Sequence, residues 1–154
     1  MLEVRVLGPL EVWADGVSLP LGTPKQQAVL AMLAVRPGRV DGLEELVDEL
    51  WPEAPPASAV ANTRSYAANL RRAFNQLEPT RDLIARRGSG YQLRIRPDQV
   101  DLTAFATECH QAPPGATRGS CAQRNLAEGA EAVRDRCPAA HFQQWVAADD
   151  PRRV

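Results

Sequence analysis

Polar and apolar residues alternate at the start of the chain, and this period of two predicts three short strands. They are expected at Val4–Leu7, Leu10–Trp13 and Val17–Leu21. Gly8-Pro9 separates the first strand from the second, and Asp15-Gly16 separates the second from the third. Because Asp-Gly supports the positive φ angles of the tightest hairpin turns, the second and third strands are expected to pair as a hairpin.

Beyond these strands the apolar residues recur every three or four positions, which predicts helices. The first helix is expected at Pro24–Val35, since Thr23 can cap its amino end and proline suits the first helical position. Asp41 is expected to cap a second helix. Its apolar face contains Leu43, Leu46, Val47, Leu50 and Trp51, and its other face contains Glu44, Glu45, Asp48 and Glu49.

The third predicted helix is the longest and runs from about Ser58 to Leu77. Its core stripe is expected to contain Val60, Thr63, Tyr66 or Ala67, Leu70, Phe74 and Leu77. A strand–turn–strand follows over Leu83–Ile95, with Gly88-Ser89-Gly90 between its strands and Tyr91 as its expected anchor. A short closing helix is predicted from Asp101 to about Gln111.

Strands followed by three helices and a last hairpin indicate an α+β fold, and this order favours a winged helix-turn-helix. In such a domain, N-terminal antiparallel strands and a three-helix core support a C-terminal β-hairpin wing. We expect the domain to occupy residues 1–112. Residues 113–154 begin with a segment rich in proline, glycine and serine, and are expected to form a linker and a short helical or disordered tail.

Charge is distributed unevenly along the 154 residues, although the formal net charge is only −1. Residues 1–63 contain four Lys/Arg and nine Asp/Glu residues, a net charge of −5. Residues 64–96 contain eight arginines and two acidic residues, a net charge of +6. A protein of nearly zero net charge can bind DNA if its cations share one face, and arginine offers a planar donor fork for phosphate and guanine. The third helix and the wing therefore form a predicted DNA-binding surface.

Polar residues of the third helix that lie off its core stripe are the candidates for reading base sequence. Asn62 and Asn69 suit adenine edges, and Arg64 suits guanine. Arg71 and Arg72 lie further along the helix and suit phosphates, which position a protein on DNA without specifying the sequence.

Two alternatives remain open from the residues alone. A run of charge is often only a solvated surface, and a winged-helix domain can serve as a protein-interaction module that does not bind DNA. The acidic face of the second helix raises the same choice. It either solvates the helix or docks a basic partner, such as a subunit of RNA polymerase.

Other classes of function find little support. No apolar run approaches the roughly 18 residues of a membrane span, and no signal-peptide core is present, so a cytoplasmic location is expected. The five candidate metal ligands lack the paired spacing of zinc sites, and the cysteines among them are expected to be reduced. They are Cys109, His110, Cys121, Cys137 and His141. No catalytic set or phosphate loop is recognisable, so we expect neither an enzyme nor a cofactor or metal.

Several short motifs are similar to those of a known family. Arg87-Gly88-Ser89-Gly90-Tyr91-Gln92-Leu93 resembles the Arg-Gly-x-Gly-Tyr-x-Leu wing signature of OmpR/PhoB-type winged-helix domains. The segments Leu7–Val12 and Pro24–Ala31 resemble the opening of SARP regulators, the Streptomyces antibiotic regulatory proteins. Leu50-Trp51 before the Pro55-Pro56 pair, and Ser65-Tyr66 before Leu70-Arg71-Arg72, also fit that family. The resemblance covers about residues 1–112.

The resemblance implies a transcriptional activator of a secondary-metabolite (antibiotic) gene cluster, which binds promoter direct repeats head to tail and recruits RNA polymerase. It implies that the third helix enters the major groove and that the wing contacts the adjacent backbone. The DNA-binding residues that it selects are Asn62, Arg64, Ser65, Asn69, Arg71, Arg72, Arg86 and Arg87. We expect a monomer in solution that pairs on tandem sites. Family members continue into a helical activation domain, of which residues 113–154 are expected to be a remnant at most.

Overall fold

The N-terminal part of the fold is a three-stranded antiparallel sheet. The structure is a computed structural model, which describes residues 1–104 of the chain. The strands of this sheet are β1 (Leu2–Arg5), β2 (Glu11–Ala14) and β3 (Val17–Ser18), in the order β1-β2-β3. Ala14 pairs with Val17, so only Asp15 and Gly16 connect β2 to β3. Both connecting residues have positive φ, 48° and 82°, as a two-residue type I′ turn requires. The predicted hairpin is therefore confirmed.

Three helices follow, and each lies close to its predicted position. They are α1 (Pro24–Val35), α2 (Leu43–Leu50) and α3 (Ala59–Leu77). Thr23 caps α1 as expected, because its side chain accepts from the Gln26 backbone N–H at 3.3 Å. The expectation that Asp41 caps α2 is wrong. The capping residue is Gly42, and the Glu45 side chain accepts from its N–H at 3.1 Å.

The second sheet contains a strand that the sequence did not predict. It consists of β4 (Val40–Gly42), β5 (Ile84–Arg87) and β6 (Gly90–Leu93), in the order β4-β6-β5. Strand β4 has three residues, too few to show a period of two, and Asp41 belongs to it rather than to a helix cap. The β5–β6 hairpin is the wing, and Gly88 in its two-residue turn has a φ of 57°.

Gly90 is required where β6 meets β4. A Cβ atom at this position would collide with the carbonyl oxygen of Asp41 and lie 3.1 Å from Cγ1 of Val40. The two glycines of the wing motif therefore have different physical reasons. Gly88 supplies a backbone conformation that favours glycine, and Gly90 supplies space.

The core lies between the two sheets' inner faces and the three helices. On α3 the buried residues recur at spacings of four, four, three and four, and they are Ala59, Thr63, Ala67, Leu70 and Phe74. Val60 is 42% exposed, so its predicted place in the core stripe is wrong, and Ala59 takes that place. Tyr66 packs partly buried against the core, and Tyr91 is buried in the wing, as predicted.

The segment after the wing returns to β1. Val4 and Val100 form a parallel bridge, and the Asp101 carboxylate accepts from the backbone N–H groups of Val6 and Leu7 at 2.8 and 3.1 Å. This explains why β1 ends at Arg5, two residues before its predicted end. Residues 101–104 are helical, and the rest of the predicted closing helix and the predicted tail lie outside the described residues. Within residues 1–104, no helix combines the length and apolar character of a membrane span.

Candidate nucleic-acid interface

One face of α3 is exposed along most of the helix. At about 100° per residue, this face lies opposite the buried Thr63, Ala67, Leu70 and Phe74. Its exposed residues include Ala61, Arg64, Ser65, Ala68, Arg72, Asn75 and Gln76. Three of the predicted site residues are thus brought together there. Ala61 and Ala68 lie on the same face and are not among the predicted site residues, because a small apolar side chain gives no chemical signal for a DNA contact.

Asn62 and Asn69 lie seven residues apart on one flank of this face, and both are already hydrogen-bonded within the protein. The Asn62 Nδ2 donates to the Ser58 Oγ at 3.2 Å. The Asn69 Nδ2 donates to the Oε1 of Gln26 on α1 at 3.3 Å, although Asn69 itself is exposed. The structure therefore places both predicted adenine readers at the side of the exposed face rather than at its centre.

Arg71 lies on the opposite flank, where α3 meets β5. Its Nε donates to the carbonyl oxygen of Ile84 at 3.0 Å and lies 3.5 Å from Oδ1 of Asp82. Arg71 is half-buried by this arrangement. The arginine predicted to meet a phosphate thus joins the long helix to the wing and shares its charge with an internal acidic partner.

Arg86 and Arg87 are exposed at the end of β5, next to the wing turn. They stand across from Tyr91 and Gly90 of β6, respectively. Because successive strand residues point to opposite faces, the two guanidinium groups leave the sheet on different sides. The wing thus presents positive charge over its width.

The arginines of residues 1–104 divide into two groups. Six of them form ion pairs with acidic residues of the described region, and these are Arg5, Arg36, Arg39, Arg71, Arg81 and Arg96. The other five make no such pair within that region, and these are Arg64, Arg72, Arg86, Arg87 and Arg94. All five belong to α3, to β5 or to the position directly after β6. Positive charge without an acidic neighbour is thus concentrated on the predicted DNA-binding surface.

The second helix carries the opposite charge. Glu44, Asp48 and, in the following loop, Glu53 are exposed. The end of α2 is fixed to α1, because the Lys25 Nζ donates to the Leu50 carbonyl oxygen at 2.9 Å and lies 4.6 Å from the centre of the Trp51 ring. The cation–π contact and the hydrogen bond hold the start of the α2–α3 loop in place.

No group of three or more histidine, cysteine, aspartate or glutamate side chains suited to a metal ion occurs within residues 1–104. The cysteines and histidines considered as ligands, from Cys109 to His141, lie outside the described residues. The prediction that the chain holds no metal therefore stays a prediction.

The strand order, the three helices and the arginine-bearing hairpin define the class of protein as a winged helix-turn-helix domain of the OmpR/PhoB type. Residues 18–93 match the family described as "Transcriptional regulatory protein, C terminal". The predicted fold class is confirmed.

Similarity to known proteins identifies a smaller group within this class. The chain is 41% identical over 109 residues to the transcriptional regulatory protein EmbR of Mycobacterium tuberculosis, covering 70% of this chain and 28% of EmbR. It is 42% identical over 93 residues to the regulatory protein AfsR of Streptomyces coelicolor, covering 60% of this chain and 9% of AfsR. A solved structure of Mycobacterium tuberculosis EmbR in complex with a low affinity phosphopeptide has a TM-score of 0.71 at 34% identity, covering 96% of this chain and 41% of that chain.

The chain belongs to the SARP family of transcriptional regulators. It spans less than half the length of each relative just described. These relatives are named as regulators and not as enzymes, which is consistent with the expectation that the chain is not an enzyme.

Proposed function

We propose that this domain binds double-stranded DNA in a sequence-specific manner, with α3 in the major groove and the wing against the adjacent backbone. The observation that carries the proposal is that, within residues 1–104, all five arginines without an acidic neighbour lie on or beside these two elements. Cations that are clustered on neighbouring elements and lack acidic partners attract a polyanion and give salt-sensitive affinity. A helix of 19 residues with one fully exposed face has the dimensions that a major groove accepts.

The proposed contacts follow from exposure. Arg64 and Ser65 read base edges from the exposed face, and Asn62 and Asn69 read them from its flank. Arg72, Arg86 and Arg87 contact phosphates. Arg71 has a smaller part in phosphate binding, because its Nε is bonded to Ile84.

Membership of the SARP family supports a more specific proposal. The protein activates a secondary-metabolite (antibiotic) gene cluster from the cytoplasm, binds promoter direct repeats as a monomer that pairs head to tail, and recruits RNA polymerase. The exposed acidic face of α2 is the surface proposed for the polymerase, since its charge is opposite to that of the arginines of α3 and the wing.

The first test measures binding to the promoter of the neighbouring gene cluster and to a random duplex of equal length, at several salt concentrations. We expect tighter binding to the promoter and a steep loss of affinity for both duplexes as salt rises. A folded protein that binds neither duplex would contradict the proposal. It would favour the alternative of a protein-interaction module, for which the exposed acidic residues of α2 are the supporting observation.

Arg64→Ala tests the division between reading and positioning residues. We expect it to relax the preference at one base pair by about 1–3 kcal/mol while binding to random duplex changes less. Arg72→Ala is the matched control on the same helix, and it should weaken binding to all sequences by a similar factor. If both variants lower specific and random binding equally, the assigned roles are wrong.

A further inference from the structure

Gln26 on α1 is a polar side chain that the proposed DNA contacts do not use. It is 7% exposed, and buried polar groups in folded proteins nearly always have a specific partner. Its Oε1 accepts a hydrogen bond from Nδ2 of Asn69 at 3.3 Å, across 43 residues of sequence. The partner of this buried amide is thus a residue of the proposed DNA-binding surface.

Gly22 makes room for this contact. Its φ is 76°, and a Cβ atom added there would lie 2.7 Å from Nε2 and 2.9 Å from Cδ of Gln26. The Gln26 amide therefore rests against the glycine backbone on one side and holds Asn69 on the other. The backbone of Gln26 is also held in place in the first turn of α1, because its N–H donates to Oγ1 of Thr23.

The contact restrains Asn69 before DNA arrives. One proton of the Asn69 amide is used by Gln26, which leaves the other proton and Oδ1 for a base edge. A side chain that is already ordered loses less conformational entropy on binding and presents its donor and acceptor in one orientation. Gln27, the neighbouring glutamine, lacks this role, because its Nε2 donates to the Gly22 carbonyl oxygen at 3.1 Å.

We infer that Gln26 is a specificity-determining positioning residue. It does not touch DNA, and it sets the orientation in which Asn69 reads one base pair. The inference rests on the proposed function, since it requires α3 to lie in the major groove.

The test compares base preferences of the full chain. Each base pair of the promoter site is substituted in turn, and affinities are measured for wild type, Asn69→Ala, Gln26→Met and the double variant. We expect Gln26→Met to lose about tenfold of the preference at one base pair, within the range of a single good side-chain–base contact. Asn69→Ala should lose preference at the same pair, and the double variant should lose no more than Asn69→Ala alone.

Two further variants separate positioning from general packing. Gln26→Glu keeps an acceptor for Asn69, so it should retain the preference at that base pair even if its charge weakens binding to every duplex. Gln27→Met should leave the whole profile unchanged. If Gln26→Met does not fold, as judged by thermal unfolding, the Gln26→Glu profile decides, and loss of the preference in a folded protein overturns the inference.

The outcomes also separate this inference from the proposed function. A wild-type protein without any base preference would refute sequence-specific binding itself. A wild-type preference that Asn69→Ala removes and Gln26→Met leaves intact would overturn the role of Gln26 alone. If Gln26→Met weakens DNA binding equally whichever base pair is substituted, Gln26 has only a structural role, and the inference is overturned as well.

Discussion

The two sheets of this domain have the same number of strands, the same antiparallel pairing and two-residue turns, but they carry charge in opposite ways. In the N-terminal sheet, Arg5 lies 2.9 Å from Glu3, 3.9 Å from Glu11 and 5.8 Å from the centre of the Trp13 ring. In the wing sheet, Arg86 and Arg87 have no acidic partner within residues 1–104. The Arg5 cation of the N-terminal sheet is thus neutralised locally, whereas the wing arginines have no acidic partner in the described residues, which suits the proposed binding of a polyanion.

The largest effect is expected from a variant that prevents the wing sheet from forming. Gly90→Ala places a methyl group against the Asp41 carbonyl oxygen, and a strand backbone has little room to move away. We expect a loss of about 3 kcal/mol in the free energy of unfolding, at the upper end of overpacking effects, measured by denaturant titration. Gly8→Ala is the control, because a Cβ atom there meets nothing within 4 Å. A similar loss in both variants would contradict the explanation from space.

The N-terminal sheet should be weakened separately by Asp101→Ala. This change removes the acceptor of the Val6 and Leu7 N–H groups, and Val6 is fully buried. We expect a loss of about 2 kcal/mol of stability, since buried donors are left without a partner. The folded variant should bind DNA like wild type, as this sheet lies outside the proposed interface. Weaker DNA binding by the folded variant would mean that the two sheets are not functionally separate.

A matched pair of arginine variants tests whether the two sheets differ in DNA binding. Arg87→Ala and Arg5→Ala each remove one positive charge, one from the wing sheet and one from the N-terminal sheet. We expect Arg87→Ala to weaken binding to all duplexes by about 1 kcal/mol and to reduce the salt dependence by about one released ion. Arg5→Ala should change neither quantity. Equal effects would show that net charge, and not the position of the cation, controls binding.

The smallest expected effect concerns the ion pair of the N-terminal sheet. The hydrogen bond from the Arg5 guanidinium lowers the pKa of the Glu3 carboxyl below its ordinary value of 4.5. Because the folded-state pKa is the lower one, the pair stabilises the fold above pH 4.5 and loses this contribution as the pH falls through the folded-state value. Glu3→Gln should destabilise the protein only slightly at pH 7, since water screens this surface pair, and the cost should be smaller still at pH 3. Unfolding curves at both pH values would check the sign.

Features that depend on neighbouring residues could be predicted from the sequence. Thr23 and Pro24 marked the start of α1, and Asp15-Gly16 marked a hairpin, because these features involve residues close in sequence. The predicted Asp41 cap failed because Asp41 pairs with a distant strand. The long helix and the wing were also predictable, since their apolar positions repeat. Strand β4 was not, because three residues show no period and its existence depends on pairing with β6.

The sequence indicated which residue types form the candidate site better than it indicated how their side chains are arranged. Clustered arginines indicated a DNA-binding surface, but the sequence does not reveal that Arg71 is bonded to Ile84 or that Asn69 is bonded to Gln26. Both contacts join elements that meet only after the helices have packed. The same limit applies to Val60, whose apolar character suggested burial although the helix turns it outward.

The bonds between Asp101 and the amides that follow β1 also constrain the order of events during synthesis. They join residues 94 and 95 positions apart, so they can form only after nearly the whole domain has left the ribosome. The segment that follows β1 is made early but gains these bonds late. Closing the long loop between residues 6 and 101 adds to the folding barrier. The backbone N–H groups of Val6 and Leu7 therefore lack this acceptor until residue 101 has been made, although β1 itself can pair with β2 as soon as residue 14 is available.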